Sequence, residues 1–294
     1  MKIAFHIGAN CTDGDRLLKS ILKNAGQMLS QGIAAPGPGR YRGLIRETIN
    51  ALNGAKPAAD TRDILIDTII EHDNVNRLVL SNDNFVCIPN RIFDHGLFYS
   101  QAEAKTRALE KIFKGDDISL FLGIRNPVSF LQDAFGKSKA ETLTDYLGLM
   151  NPEDVHWSDV VKRIKSAVPD IPLTVWCNED SPLLWEDLIR AISGLHPDTP
   201  IAGGLDMLST IISRDGVGHL QKRLAEPQSN TARHEVIAEI WEKHAKGDEL
   251  EDEILLPELD PALVDDMTDM YDEDVAKIGQ MDGVRLILPF EDTA

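Results

Sequence analysis

Four short apolar runs, MKIAFHIG, RLVLSN, ISLFLGIR and PLTVWCN, are spaced along the chain with at least one helix-period segment between each and the next. Each holds four to seven mostly apolar residues. Continuous apolarity over so short a length suits strands covered on both faces, and the helical segments between them suit the crossovers that parallel strands require. The pattern predicts an α/β fold of three layers, α/β/α, with a mainly parallel central sheet. Helices are predicted over 16–29, 41–52, 62–73, 101–113, 128–135, 157–167, 182–193, 205–224 and 231–244, the third with Asp60 and Thr61 as cap candidates.

A chain of 294 residues at 43% hydrophobic can bury a large core, and no long Pro/Gly/Ser linker divides it, so a single domain over 1–294 is expected. The formal charge of -18 repels polyanions, which argues against nucleic acid and anionic membrane as partners while leaving room for a local basic pocket. Cys11, Cys87 and Cys177 are odd in number and in no CxxC spacing. They fit neither a disulfide framework nor a zinc site, and no metal is expected. No run approaches the length of a membrane-spanning helix, and no basic-then-apolar leader opens the chain, so a cytoplasmic protein is expected. The stretch 247–274 carries thirteen acidic residues and no Lys or Arg. Apolar residues at helical spacing in LLPELDPALVDDM read as a helix with a solvated acidic face, and the alternating ligands of a calcium loop are missing.

The loop Gly8-Ala9-Asn10-Cys11-Thr12-Asp13-Gly14-Asp15 joins the first strand to an amphipathic helix, the layout of a phosphate-binding loop. It has no GxxxxGK[ST] and no lysine. A plain strand-to-helix turn capped by Asp13 or Asp15 accounts for the same residues, and two carboxylates oppose an anion in a dry pocket. His6, inside an apolar strand, reads as a core histidine; His95, in RIFDHGLF, is a loop histidine with the chemistry of a general base. Trp157, Trp176, Trp185 and Trp241 fall at helix or strand positions and read as core.

HIGANCTDGDRLLKSIL resembles the opening of bacterial sulfotransferase-like proteins, a strand followed by HIGxxKTGTT and a helix. In their order along the chain, RLVLSNDNF, ISLFLGIRNPVSFLQDAF, PLTVWCNEDSPLLWEDLIRAI and YDEDVAKIGQMDGVRLILP resemble further pieces of the same family. The resemblance implies a sulfotransferase fold and transfer of a sulfuryl group from 3′-phosphoadenosine 5′-phosphosulfate to a hydroxyl acceptor, such as a carbohydrate or another small molecule. It places the donor's phosphosulfate on Gly8, Ala9, Asn10, Cys11, Thr12 and Gly14, its 3′-phosphate on Arg125, and the catalytic base at Asp83; for the 3′-phosphate, Ser129, one helical turn before position 133, offers a hydroxyl on the same face.

Carried over residue by residue, the motifs are incomplete. Cys11 stands at the family's lysine, Asp13-Gly14-Asp15 at its Gly-Thr-Thr, and Asp133 at the Ser eight residues after Arg125. The lysine offsets charge on the bridging oxygen as the bond breaks, and a cysteine supplies no such charge. Arg16 and Lys19 are the local candidates to replace it, and both also read as exposed helix residues. Arg125 equally suits an ion pair with Asp133, and Pro127 a first helical position. In IAAPGPGRYRG, the residues Arg40, Tyr41 and Arg42 suit an anionic or sugar-like acceptor, or simply a rigid surface loop. Two classes of function are therefore open, a sulfotransferase and a sulfotransferase-fold protein that has lost donor chemistry and binds a ligand or partner.

Overall fold

The structure is a computed structural model and describes residues 1–226, 229–246 and 256–290. Its strands are β1 (Lys2–His6), β2 (Ile33–Ala34), β3 (Arg77–Ser81), β4 (Asp117–Ile124), β5 (Leu173–Cys177) and β6 (Val284–Ile287). They form one sheet in the order β2-β3-β1-β4-β5-β6, with every pairing parallel. The first strand is thus central, with Phe5 in register with Leu80 on one side and Leu120 on the other.

The helices that precede β4 are α1 (Arg16–Leu22), α2 (Ala25–Ser30), α3 (Arg42–Leu52), α4 (Thr61–Ile69) and α5 (Ala102–Ile112). Between β4 and β5 lie α6 (Pro127–Gly136), α7 (Leu143–Leu147) and α8 (Trp157–Ala167). After β5 come α9 (Ser181–Ser193), α10 (Leu208–Ile211), α11 (Arg214–Arg223), α12 (Asn230–His244) and α13 (Pro261–Gly279). Alternate residues of each strand face opposite layers. On β1, Ile3 and Phe5 join a core with Phe85, Phe113, Phe130 and Trp157, while Ala4 faces a second core with Leu17, Trp176, Trp185 and Leu188. The three-layer α/β/α architecture follows from covering both faces.

Two predicted helices are each divided in two. The 16–29 segment stops at Asn24, whose side-chain amide donates to the carbonyls of Ser20 and Ala202, both at 2.9 Å, and whose Oδ1 accepts from Ala202 N at 2.8 Å. A side chain spent on a distant loop ends α1 and restarts the chain as α2. The 205–224 segment breaks at Ser213, which caps α11 by accepting from Gly216 N at 3.2 Å. Strands β2 and β6 and helix α7 are additions to the predicted elements. In α13 the exposed residues include Asp265, Asp266, Asp269, Asp272 and Glu273, while Met267, Tyr271 and Ile278 are buried. The remainder of the acidic stretch, 247–255, lies outside the described residues.

Candidate functional site

In an open parallel sheet, ligands collect beyond the carboxyl ends of the strands, where crossovers leave toward opposite faces. Here those ends belong to β1, β3, β4 and β5, and they bring together the first loop, Asp83, Arg125 and Asn178–Asp180. Gly8 opens the loop at φ +116°, and a Cβ there would stand 3.0 Å from the Asp83 carbonyl oxygen. Only glycine combines that backbone angle with so close a strand-end neighbour.

The loop is held by its own protein. Ala9 N donates to Gly123 O at 2.7 Å, and Asn10 N donates to Tyr99 Oη at 3.0 Å. Tyr99 Oη donates in turn to Asn10 Oδ1 at 2.8 Å, and Asn10 Nδ2 reaches Asp83 O and Asn84 Oδ1. Thr12 Oγ1 donates to Ala9 O at 2.9 Å. Cys11 is buried, packed in the core beneath the loop. Burial pushes its thiol up, opposed by the nearby Lys137 ammonium, so the group stays protonated and is a poor nucleophile at neutral pH.

Asp13 turns its carboxylate onto a helix amide of its own chain. Its Oδ2 accepts from Leu17 N at 2.8 Å, inside the first turn of α1. Asp15 points outward and pairs with Arg42, Nη1 to Oδ2 at 3.0 Å and Nη2 to Oδ1 at 2.5 Å, while Arg42 Nε donates to Ser81 O at 2.9 Å. The guanidinium holds the Asp15 carboxyl below its usual range, and Asp15 raises Arg42 in return. Asp83 lies beside this pair and is pushed up, first by burial and then by the charge of Asp15. A base with a raised pKa suits proton abstraction, yet no cation at the loop's lysine position faces it from the chain segment that the resemblance assigns.

His6 is buried, with Nδ1 2.9 Å from Ser81 Oγ, and burial lowers its pKa against the pull of Asp13, Asp83 and Asp15. Its Nε2 has no well-aligned partner among the described residues, so the ring is only half satisfied. His95 lies in a separate surface cavity of about 720 Å³ lined also by Phe93, Tyr146 and Leu149. Arg40 pairs with Glu71, and Tyr41 is buried, donating from Oη to Ser81 O at 2.7 Å. Of that loop, Arg42 reaches the site.

Arg125 leaves the end of β4 and turns back onto the protein. Its Nη1 donates to Cys11 O at 2.6 Å and to Asp133 Oδ2 at 2.5 Å, and its Nε donates to Ser129 Oγ at 3.0 Å. Trp157 Nε1 closes the other side by donating to Arg125 O at 2.7 Å. A cleft of about 630 Å³ runs past these groups, lined also by Thr12, Arg16, Glu179, Met207, Ile211, Trp241 and Thr268. Two polar atoms of its lining, Asn178 Oδ1 and Trp241 Nε1, are buried without a hydrogen-bond partner among the described residues. Trp241 is therefore a cleft residue as well as a packing residue, with no local signal for that role in the sequence. At the rim, burial beside Glu179 pushes the Asp180 carboxyl up to about 6.

These residues do not fit the phosphosulfate end of the donor. Leu17 N, a helix amide that an anion would take, is held by Asp13, and the loop's lysine position is a buried thiol. Arg125 and Ser129 stand together, with the Asp133 carboxylate already on the guanidinium. Among the described residues, no His, Cys, Asp or Glu cluster of three or more is arranged to hold a metal, and no helix is long and apolar enough to cross a membrane.

No protein-family model matches the sequence, and no curated protein matches it significantly. Among solved structures, the chain is similar to a crystal structure of a sulfotransferase from Alicyclobacillus acidocaldarius, at 13% identity and a TM-score of 0.42, over 80% of this chain and 95% of that one. At that level of likeness the functional reading rests on the site's own geometry.

Proposed function

We propose that the protein is a sulfotransferase-like protein that has lost donor chemistry and binds a small molecule in the cleft between the first loop and α12. The observation that carries this is the Asp13 carboxylate, 2.8 Å from Leu17 N, a built-in anion in the loop to which the sequence resemblance assigns the donor's phosphosulfate. Asp133 does the same to Arg125. Displacing either carboxylate with a phosphate sets like charges side by side in a half-buried site, at a cost that grows as the local dielectric falls. The lining that remains mixes Arg16, Asp133 and Glu179 with Trp241, Met207 and Ile211. That combination suits a neutral or zwitterionic molecule with an apolar part, a carbohydrate among the candidates.

The test is thermal unfolding with adenosine 3′,5′-bisphosphate, the spent donor. A ligand at about a hundred times its dissociation constant adds roughly 2.7 kcal/mol, enough to move the midpoint by about 5 °C. No shift is expected at millimolar ligand for the natural chain. A clear shift that disappears in Arg125→Ala overturns the reading in favour of sulfuryl transfer to a hydroxyl acceptor. The combined variant Cys11→Lys, Asp13→Gly, Asp15→Thr brings the family's residues to three of the departing loop positions and is expected to gain nucleotide affinity.

A further inference from the structure

Helices α10, α11 and α12 share a small core of their own, built on Leu208, Ile212, Leu220, Val236, Ile237 and Ile240, and contribute Ile211 and Trp241 to the cleft. This unit is fastened by backbone contacts. Ser213 N donates to His244 O at 2.8 Å, Lys246 N donates to Ile211 O at 2.9 Å, and Ile212 bridges Ala245. Glycine at 216 lets His244 seat against α11, since a Cβ there would come within 2.6 Å of His244 Cβ. At this fastening His219 Nδ1 stands 3.3 Å from His244 Nε2, the rings 5.1 Å apart and inclined at 71°. The other nitrogen of His244, Nδ1, lies 3.5 Å from Ser213 Oγ.

We infer that His219 and His244 form a two-imidazole site for a borderline divalent transition ion such as Zn²⁺ or Ni²⁺, bridging α11 to the end of α12. A tetrahedral ion with bonds of about 2.0–2.1 Å sets neighbouring ligand nitrogens about 3.3–3.4 Å apart, the spacing already present between the two rings. A ligating histidine characteristically gives its second N–H to an outer partner, which fixes the tautomer, and Ser213 Oγ is placed to accept from Nδ1 of His244. Without the ion, the facing nitrogens require one N–H between them. On binding, that proton moves to the outer nitrogen of the same ring and both facing lone pairs turn to the metal, so a neutral pair loses no proton. His219 is exposed and His244 half-buried, which leaves an approach from solvent and positions for water to complete the shell. Imidazole nitrogen selects transition ions over Mg²⁺ and Ca²⁺, which take oxygen ligands.

The site is separate from the cleft's own ligand, and its test does not depend on it. The full chain is titrated calorimetrically with Zn²⁺ or Ni²⁺ in a non-chelating buffer, and thermal unfolding is followed with and without the ion. One equivalent is expected to bind and to raise the unfolding midpoint, with Mg²⁺ giving no such response. His219→Gln keeps a hydrogen-bonding side chain at an exposed position; it should unfold at the natural midpoint in the absence of metal while losing the metal response. His244→Ala should lose binding at least tenfold. Binding that survives His219→Gln and His244→Ala unchanged assigns the ion to surface carboxylates and overturns the inference. Absence of any binding at millimolar Ni²⁺ overturns it as well.

Discussion

Asp13 and Asp15 are two residues apart and have opposite tasks. Asp13 turns in to the first-turn amide of Leu17, and Asp15 turns out to the Arg42 guanidinium. Asp13→Ala leaves that amide without its carboxylate, and a loss of about 1 kcal/mol is expected by urea denaturation, the usual size for a lost N-terminal acceptor. An unchanged midpoint would mean α1 does not rely on it. The Asp15 pair carries a pH signature. Its folded carboxyl lies below the ordinary value of about 4, so the stability it contributes is complete above that value and is lost as pH falls through the depressed one. Asp15→Asn should lower stability at pH 7 and flatten the acid limb of a stability profile. A profile that keeps its full acid slope in the variant assigns the slope to other carboxylates. Both roles rest on charge placed next to a donor, and the sequence offered Asp13 and Asp15 as cap candidates without saying which one turns inward.

At the scale of elements, the first loop is positioned by a residue far along the chain. Tyr99 Oη both accepts from Asn10 N and donates to Asn10 Oδ1, across 89 residues. Tyr99→Phe keeps the ring's packing but leaves two buried polar groups of Asn10 unpaired, at an expected cost of about 1–3 kcal/mol. Hydrogen exchange at the Asn10 amide should quicken relative to the β1 amides, and equal protection in the variant would show that the loop is held elsewhere. The strands around this loop were legible beforehand: β1, β3, β4 and β5 sit on the four apolar runs because strands buried on both faces must be apolar throughout. Strand β2 was not, because it is two residues long and exists through its pairing with β3. Helix α1 ended early for a similar reason, with Asn24 bonded to Ala202, 178 residues away. The ion pair between Arg125 and Asp133 was legible as a choice, since both lie close together on the β4–α6 segment, but its partner Cys11 O was not.

At the scale of the molecule, the segments that leave β1, β4 and β5 line one cleft together with residues of α10, α12 and α13. The nucleotide experiment and the metal experiment are independent of each other. One asks whether the strand ends still accept a polyanion, the other whether the helical unit is fastened by an ion. The charge of -18 bears on both, since it disfavours the first ligand and favours approach of the second. A site that holds Arg16 and Arg125 together with Asp133 and Glu179 is locally mixed in sign, a property that net charge does not reveal.

The alternation of apolar runs and helical periods determined the layer architecture, because backbone periodicity and the burial of apolar faces are local properties repeated along the chain. The missing loop lysine, the carboxylates at 13, 15 and 133, and the arginine at 125 were equally plain in the letters. Which of these groups meet was decided by tertiary structure. A hydrogen bond or ion pair requires atoms within about 3 Å, and the partners of Asn10, Asp15 and Arg125 come from Tyr99, Arg42 and Cys11, residues that the crossovers and strand order bring to one end of the sheet.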